Sequence, residues 1–168
     1  MKAKLIVEGR EFPIEINDPE LEKLLKPQKK TGYERVDEGC EYYYEHCEGG
    51  TSFIKEYHGG SDNESYKCAN YYSDRTVAEN NARADQFMRQ LRRFAVEHRE
   101  NELDWQDAEQ DKYFIYYNHK TETLSAHGSI HNQTPCIIYF DSLEAAKLAI
   151  ETFHDELIWY FTEYKDSL

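Results

Sequence analysis

The sequence predicts an α+β fold in which a three-stranded antiparallel meander followed by a helix occurs twice in tandem and packs as one body. A small N-terminal hairpin and helix precede this body. Three observations lead to this prediction: short aromatic segments occur in two similar sets, turn residues separate the segments, and an amphipathic helix pattern follows each set. The 14 Tyr and 8 Phe favour strands, because aromatic side chains pack well on a pleated surface.

Residues 1–25 are predicted to form the N-terminal hairpin and short helix. Apolar residues alternate with polar ones on both sides of Glu8-Gly9, which is the pattern of a hairpin. Pro19 suits the first turn of a helix, and leucines at helical spacing follow it. The charged residues 26–32 (KPQKKTG) have little to bury and are predicted to be a linker.

The first repeat is predicted at residues 33–99. Its three strands are expected in the segments CEYYYEHC, SFIKEYH and ESYKCANYY. The third strand is inferred from the alternation of Tyr66, Cys68, Asn70 and Tyr72. A helix from about Asp74 to His98 follows, with apolar residues at close to helical spacing and with Ser73 or Asp74 as its cap.

Residues 100–111 are predicted to be an acidic connector, and residues 112–168 the second repeat. Its strands are expected in the segments KYFIYY, TLSAH and PCIIYF. One long helix is expected to follow, with Asp141 and Glu144 in the form of a capping box. The apolar face of this helix recurs every four residues, at Ala145, Ala149, Phe153, Leu157 and Phe161.

The net charge is −13, from 33 acidic and 20 basic residues. This charge disfavours nonspecific binding to nucleic-acid backbones and to anionic membranes. No run approaches the length of a membrane span, and the first residues, MKAKLIVEGREF, lack the apolar core and cleavage site of a secretion signal. We therefore expect a cytoplasmic protein without a membrane partner, whose acidic surface can recognise basic protein surfaces.

The four cysteines, Cys40, Cys47, Cys68 and Cys136, are predicted to be reduced thiols. Cys68 and Cys136 fall in strand patterns and are expected to be packed. Neither the histidine and cysteine residues of 40–68 nor those of 127–136 show the paired spacing of structural zinc ligands. We therefore expect no metal and no cofactor.

No residue pattern in the chain predicts catalysis. A strand-turn-helix nucleophile elbow is not visible, and the glycine pairs Gly49-Gly50 and Gly59-Gly60 lack the Lys-Ser/Thr that follows a phosphate-binding loop. A pair of catalytic carboxylates cannot be picked out among 33 acids. The sequence therefore predicts a protein that is not an enzyme and has no catalytic residues.

Two acidic segments that contain aromatic residues are the strongest functional lead. Residues 97–111 hold seven acids and one Arg around Trp105, and residues 34–48 hold six acids and one Arg among three tyrosines. Carboxylates mixed with exposed rings can imitate nucleic acid or dock on an arginine-rich partner, although a solvated surface is the alternative. The candidate partner-binding residues are Glu38, Glu41, Glu45, Glu102, Asp104, Trp105, Asp107, Glu109 and Asp111.

The first long helix is basic within this acidic chain. Residues 75–99 carry six Arg against three acids, a local charge of +3. Arg89, Arg92 and Arg93 share a helix face that could bind phosphate beside stacking tyrosines, so a nucleic-acid or nucleotide-binding module is the alternative function. These arginines could instead pair with the protein's own acids.

Four phrases of the chain carry a resemblance to a protein family. They are KTGYERVDEGCEYYY, NYYSDRTVAENNARADQFMRQLRRFA, QDKYFIYYNHKTETL and IYFDSLEAAKLAIETFHDELIWYFTEY, which cover most of the chain. The sequence resembles small uncharacterised acidic proteins encoded by phages and prophages of Gram-positive bacteria. The resemblance implies no catalytic residue.

What the resemblance implies is a biological context. Accessory genes of phages often encode small acidic proteins that bind and disable host defence or regulatory proteins. We therefore expect a phage or prophage accessory protein that binds a host macromolecule in the host cytoplasm. The expected partner is a host protein with a basic surface, which the chain could inhibit as a nucleic-acid mimic.

Overall fold

The computed structural model describes residues 2–7, 10–19 and 30–164. The chain divides into two compact units, residues 1–31 and 32–168. In the first unit, β1 (Lys2–Val7) pairs antiparallel with β2 (Arg10–Glu15), so the predicted hairpin is present. The short helix predicted to contain the leucines after Pro19 lies outside the described residues.

The larger unit has the α+β composition that the sequence predicts. Its described helices and strands, in chain order, are β3 (Glu41–Glu45), β4 (Thr51–Lys55), α1 (Gly60–Lys67), α2 (Arg75–Glu97), β5 (Lys112–Asn118), β6 (Thr123–Ser129), α3 (Leu143–Thr152) and α4 (His154–Thr162). β3 pairs antiparallel with β4, and β5 with β6. Within the part of the chain that the structure describes, no helix combines the length and apolar composition needed to cross a membrane.

The predicted three-stranded meanders are wrong, because the described sheets have two strands each. A third segment touches each hairpin at a single isolated bridge, Tyr43 with Tyr72 and Tyr113 with Phe140. In both bridges the third segment lies beside the first strand of the hairpin, whereas a meander requires it beside the second. Each bridge consists of a reciprocal pair of backbone hydrogen bonds, with N···O distances of 2.7–2.9 Å.

Local chemistry explains why neither third segment is a strand. Asp62 accepts hydrogen bonds from the backbone N–H groups of Tyr57 and Gly59, which fixes the start of α1 where an extended strand was expected. In the second half, Pro135 lacks a backbone N–H and Cys136 has a φ of 64°. Both features interrupt the extended conformation that a ladder requires.

The two halves nevertheless place the bridge and the following helix in the same order. Tyr72 precedes the cap Asp74 by two residues, and Phe140 precedes the cap Ser142 by two residues. The Asp74 side chain accepts from Val77 N at 3.0 Å, and the Ser142 hydroxyl accepts from Ala145 N at 3.1 Å. Each bridge therefore leads directly into a capped helix.

Helix α2 confirms the helix predicted from about Asp74 to His98. These two residues are its N-cap and C-cap, and Asp74 supplies the capping carboxylate. One face of the helix is buried along its whole length. The buried residues are Ala78, Ala82, Ala84, Phe87, Leu91, Phe94 and Ala95.

The C-terminal helix differs from the prediction in two details. It is divided at Phe153, which has φ −114° and ψ 26° and separates α3 from α4. The cap is Ser142, because the Asp141 carboxylate is occupied elsewhere: it accepts from the backbone N–H groups of Glu100 and Asn101. The predicted apolar face is correct, since its members are buried or pack against the core.

The main core lies between α2, α3, α4 and the second hairpin. Alanines of α3 are fully covered, with Ala146 and Ala149 at 0 % exposure, and this allows the helix to pack closely. Aromatic rings fill the remaining space, and the Phe153 ring lies edge-on to Phe94, with ring centroids 5.4 Å apart. The buried cluster consists of Phe87, Leu91, Phe94, Ala95, Phe140, Ala145, Ala146, Ala149 and Leu157.

The first half is held together by a buried polar network around Glu56, which is 0 % exposed. Arg35 donates to both Glu56 oxygens, from Nε at 3.0 Å and from Nη2 at 3.1 Å. The Tyr71 hydroxyl donates to Glu56 Oε2 at 2.8 Å, and His58 N donates to Oε1 at 2.6 Å. These hydrogen bonds, with that of Arg35 strongest, hold the pKa of Glu56 down at about 2.

A second buried carboxylate, Asp62, extends this network. It accepts a hydrogen bond from the Tyr42 hydroxyl at 3.0 Å. The Tyr42 and Tyr71 rings stack with centroids 4.0 Å apart, and burial raises the pKa of Tyr71 to about 12. Both phenol hydroxyls therefore donate to carboxylates in the protein, whereas a strand with one wet face would leave them hydrated.

The predicted packing of Cys68 and Cys136 is wrong, because both thiols are exposed and free. Cys68 is the C-cap of α1, and Cys136 lies in the loop with positive φ. Cys40 and Cys47 are also exposed and free.

We expect Phe153→Ala to lower the free energy of unfolding by about 3 kcal/mol, the lower end of the range for Phe-to-Ala changes, since the ring is half-buried. Glu151→Ala is the control, because this exposed side chain lies on the same helix and should cost less than about 0.5 kcal/mol. Urea unfolding followed by circular dichroism measures both. Equal stability of the two variants would contradict the core described above.

The Glu56 network should make the protein sensitive to acid. Its pKa is lowered from 4.5 to about 2, so its contribution to stability is complete above pH 4.5 and is lost as the pH falls toward 2. Glu56→Gln should cost about 3 kcal/mol at pH 7, because it leaves the Arg35 charge without its partner. Urea unfolding at several pH values measures this, and the exposed Glu64→Gln should leave the pH profile unchanged.

Candidate partner-binding surface

The acidic loop, residues 100–111, is folded back on itself by hydrogen bonds to its own backbone. The Gln110 side chain spans the loop: its Oε1 accepts from Asp104 N and its Nε2 donates to Glu102 O, both at 2.8 Å. Asp104 accepts from Gln106 N, and Asp107 accepts from Glu109 N, in two short turns. The acidic loop therefore has a defined backbone shape.

The buried side chain of Lys112 holds the acidic loop through hydrogen bonds to its backbone. Its side chain is 0 % exposed at the start of β5, and its Nζ donates to Gln110 O at 2.7 Å and to Asp107 O at 3.0 Å. The same ammonium lies 5.6 Å from the centroid of the Trp105 ring. The buried ammonium thus bonds backbone carbonyls of the acidic loop and forms no ion pair with the loop's carboxylates.

Trp105 packs against the body of the protein, and only part of its ring is exposed. The ring is half-buried and stands edge-on to Tyr139, with centroids 4.9 Å apart. Tyr139 is itself buried and held by its hydroxyl, which accepts from Thr134 N and donates to Asn132 O. The predicted role of Trp105 as an exposed contact is therefore limited to the part of its ring that reaches solvent.

The carboxylates of the acidic loop lie on its outer side. The predicted residues Glu102, Asp104, Asp107, Glu109 and Asp111 are all exposed. Among the described residues, none of these five forms an ion pair with Lys, Arg or His. The Asp104 and Asp107 carboxylates accept from backbone N–H groups, and the Tyr113 hydroxyl donates to Asp111 at 3.4 Å. Hydrogen bonds thus hold three of these carboxylates, and none of the five has a cationic partner among the described residues.

The first acidic segment is divided by the fold. Glu38 and Glu41 are exposed, and Glu41 lies opposite Lys55 in the β3–β4 register. Glu45 is half-buried against α2, and burial followed by the Asp85 charge raises its pKa, which Arg89 opposes. Glu45 therefore belongs to the packing between β3 and α2.

The structure does not join the two acidic segments into one patch. In the described ranges, no hydrogen bond, ion pair or ring contact connects Glu38, Glu41 or Glu45 to the acidic loop. The acidic loop alone collects five exposed carboxylates within ten residues. It is the part of the predicted site that the fold brings together.

The predicted arginine face is split between two recesses. Arg89 and Arg93 line one recess with Cys47 and Glu48, and Arg89 Nη2 donates to Cys47 O at 3.4 Å. Arg92 lines a different cavity, together with Asp85 and Met88 of α2. Spacing along the helix predicts one face, but the loops packed against α2 separate its members.

Several arginines of residues 75–99 pair with the protein's own acids. Arg75 contacts Glu79 at 2.8 Å on the same helix, and Arg93 approaches Glu97 at 3.8 Å. Arg83 makes two hydrogen bonds of 3.1 Å to Glu156 of α4, and its guanidinium lies 3.8 Å from the centroid of the Trp159 ring. This pairing lowers the positive charge that the helix offers to a phosphate backbone.

Sequence reasoning missed the residues that shape the acidic loop, namely Lys112, Gln110 and Tyr139. One signal was available: Lys112 is a lone cation between Asp111 and an aromatic strand, where a buried position needs a polar partner. The Glu56 network was also missed, because its members come from distant segments. Among the described residues, no group of three or more His, Cys, Asp or Glu side chains is arranged to hold a metal ion.

Neither the known protein families, nor the curated proteins, nor the solved structures compared with this chain give a match.

Lys112→Met should loosen the acidic loop while keeping the apolar stem of the side chain. The loss of two charge-assisted hydrogen bonds should speed amide hydrogen exchange in residues 102–111 by about tenfold or more. Mass spectrometry of exchanged peptides measures this. Lys147→Met, at an exposed position of α3, is the matched control and should leave exchange in the acidic loop unchanged.

Proposed function

We propose that this chain is a binding protein whose acidic loop docks on a basic surface of a protein partner. The observation that carries the proposal is the combination of an ordered backbone with five exposed carboxylates that have no cationic partner among the described residues. A loop that is already ordered loses little conformational entropy on binding. Unpaired carboxylates at fixed spacing select a partner with cations at matching positions.

The overall charge supports the same proposal. A net charge of −13 attracts basic proteins over long distances and repels nucleic acid and anionic lipid. The buried Lys112 keeps the outer surface of the loop negative, because its side chain stabilises the loop without presenting positive charge to a partner. The proposed contact residues are Glu102, Asp104, Asp107, Glu109 and Asp111, with Trp105 at the edge.

The resemblance to phage and prophage proteins leads us to propose a host protein as the partner. Proteins that act on nucleic acid carry basic surfaces, and an acidic loop of defined shape can occupy such a surface. The chain would then act in the host cytoplasm as an accessory inhibitor of a defence or regulatory protein, without catalysis of its own. The first acidic segment, with Glu38 and Glu41, would add charge outside the main contact.

A nucleotide or nucleic-acid site on α2 is the second candidate. What favours it is the recess that Arg89 and Arg93 line together, since two guanidinium groups in one recess suit a phosphate group. Glu48 in the same recess and the Arg93–Glu97 pair weaken this candidate. It predicts binding that Arg89→Glu with Arg93→Glu abolishes, measured by filter binding with single and double strands.

We also propose that the halves of the larger unit are a tandem repeat built on the element order described above. The hairpin, the single bridge to its first strand and the helix capped two residues later occur in both halves. The additional helix α1 distinguishes the first half from the second. In this interpretation the acidic loop is the connector between the repeats.

The proposal is tested with two variants that each lose five negative charges. The loop variant carries Glu102→Gln, Asp104→Asn, Asp107→Asn, Glu109→Gln and Asp111→Asn, and the amide oxygens can still accept the turn hydrogen bonds. The control variant neutralises five other exposed acids and therefore has the same net charge. It carries Asp37→Asn, Glu64→Gln, Glu144→Gln, Glu151→Gln and Glu163→Gln.

Wild-type protein and both variants are used as baits in lysate of a Gram-positive host, followed by mass spectrometry. We expect a basic protein that the wild type and the control variant retain, that the loop variant retains about tenfold less, and that is released at about 0.3 M salt. Equal retention by both variants would show that net charge alone attracts the partner. Recovery of no protein by the wild type would also count against the proposal.

A further inference from the structure

An apolar cavity in the larger unit has no residue of the acidic loop in its lining. It has a volume of about 330 Å³ and is enclosed by α2, β5, the segment 135–140 and α4. The core residues Leu91, Phe140 and Leu157 line its inner end, and Phe114 and Ile137 line its walls. Cavities that bind small molecules have volumes of roughly 300–1,000 Å³ and mainly apolar walls.

A second cavity, of about 440 Å³, adjoins the first. Both are lined by Met88, Cys136, Ile137, Ile138 and Tyr160, so these side chains form their common boundary. The second cavity adds two charged residues of α2, Asp85 and Arg92. The pair of cavities therefore changes from apolar at the inner end to charged at the outer end.

Arg92 is a cation in the lining of the second cavity. Among the described residues it has no ion-pair or hydrogen-bond partner, in contrast to Arg83 and Arg93 of the same helix. Arg92 is exposed, lines the second cavity, and lies one helical turn after Met88, which lines both cavities. A guanidinium group placed in this way can hold a carboxylate through two parallel hydrogen bonds.

Asp85 restricts the charge of the ligand. It lines the same outer cavity, and its carboxylate is close enough to Glu45 to raise the pKa of that residue. One free cation beside one acid favours a monoanion over a dianion such as a phosphate monoester. The local charge of +3 in residues 75–99 offsets part of the repulsion that an anion meets from the whole chain.

We propose that these adjoining cavities bind a single-chain amphipathic carboxylate, with the hydrocarbon tail in the apolar cavity and the carboxylate on Arg92. The tail gains free energy by leaving water for walls of aromatic and aliphatic side chains. Met88 at the boundary can move to admit the tail, because the methionine side chain is unbranched and adaptable. The inference is independent of the partner proposed for the acidic loop.

Isothermal titration calorimetry of the full chain with decanoate tests the proposal, at concentrations at which decanoate stays monomeric. We expect saturable binding of one decanoate, weaker binding of decanol and weaker binding of decyltrimethylammonium. Arg92→Gln should weaken decanoate binding by about tenfold or more and leave decanol binding unchanged. Arg93→Gln is the matched control, because this neighbouring arginine lines the other recess.

Cys136 reports where the ligand lies, since its exposed thiol lines both cavities. In a protein that carries Cys40→Ser, Cys47→Ser and Cys68→Ser, decanoate should slow the reaction of Cys136 with Ellman's reagent. Prior alkylation of Cys136 with N-ethylmaleimide should abolish decanoate binding.

Four results would each overturn the proposal. They are no saturable binding of decanoate, equal binding of decanoate and decanol, unchanged affinity in Arg92→Gln, and a Cys136 thiol that decanoate does not protect. The first of these would also be seen if the natural occupant of the cavity were an apolar side chain of another protein.

Discussion

Burial of one face of α2 is the interaction on which the rest of the larger unit depends. The C-terminal half of this face, around Phe87 and Leu91, packs with α3, α4 and the second hairpin. The middle of the helix meets the first hairpin, where a Cβ on Gly49 would approach Gln86 Oε1 to 2.5 Å. Each hairpin alone has too little apolar surface to be stable in water. The first hairpin packs directly on α2, and the second packs on α3, which itself packs on α2. The acidic loop begins where the same helix ends.

Scarcity of aliphatic residues explains how the two halves differ inside. The main core, which the second half shares with α2, consists of phenylalanine, leucine and alanine and, among the described residues, contains no buried polar residue. The first half buries Tyr42 and Tyr71 and must satisfy their hydroxyls, which it does with the carboxylates Asp62 and Glu56. A buried carboxylate in turn requires a cation, and Arg35 provides it. One compositional feature, tyrosine in place of leucine, thus leads to the whole polar network.

The sequence predicts the long helices well and the third strand of each meander poorly. Helix α2 is set by a local cap and a 3.6-residue pattern, both of which are visible in the chain. The segment 60–67 is helical because Asp62 accepts hydrogen bonds from backbone groups just before it, a local capping interaction that prevails over the strand-like alternation around Tyr66. For the acidic loop, charge and exposure were predictable from composition. The anchoring Lys112 was not, since its acceptors are backbone carbonyls that only the fold brings together.

The chain contains two tryptophans, and their surroundings make them distinct optical reporters. Trp105 lies in the acidic loop, beside Tyr139 and the Lys112 ammonium. Trp159 lies on α4, where the guanidinium of Arg83 from α2 covers its ring. Intrinsic fluorescence therefore contains one signal from the connector and one from the helical core. Replacing either indole by phenylalanine would leave a spectrum that follows a single region, so events at the loop and in the core could be timed separately without any attached dye.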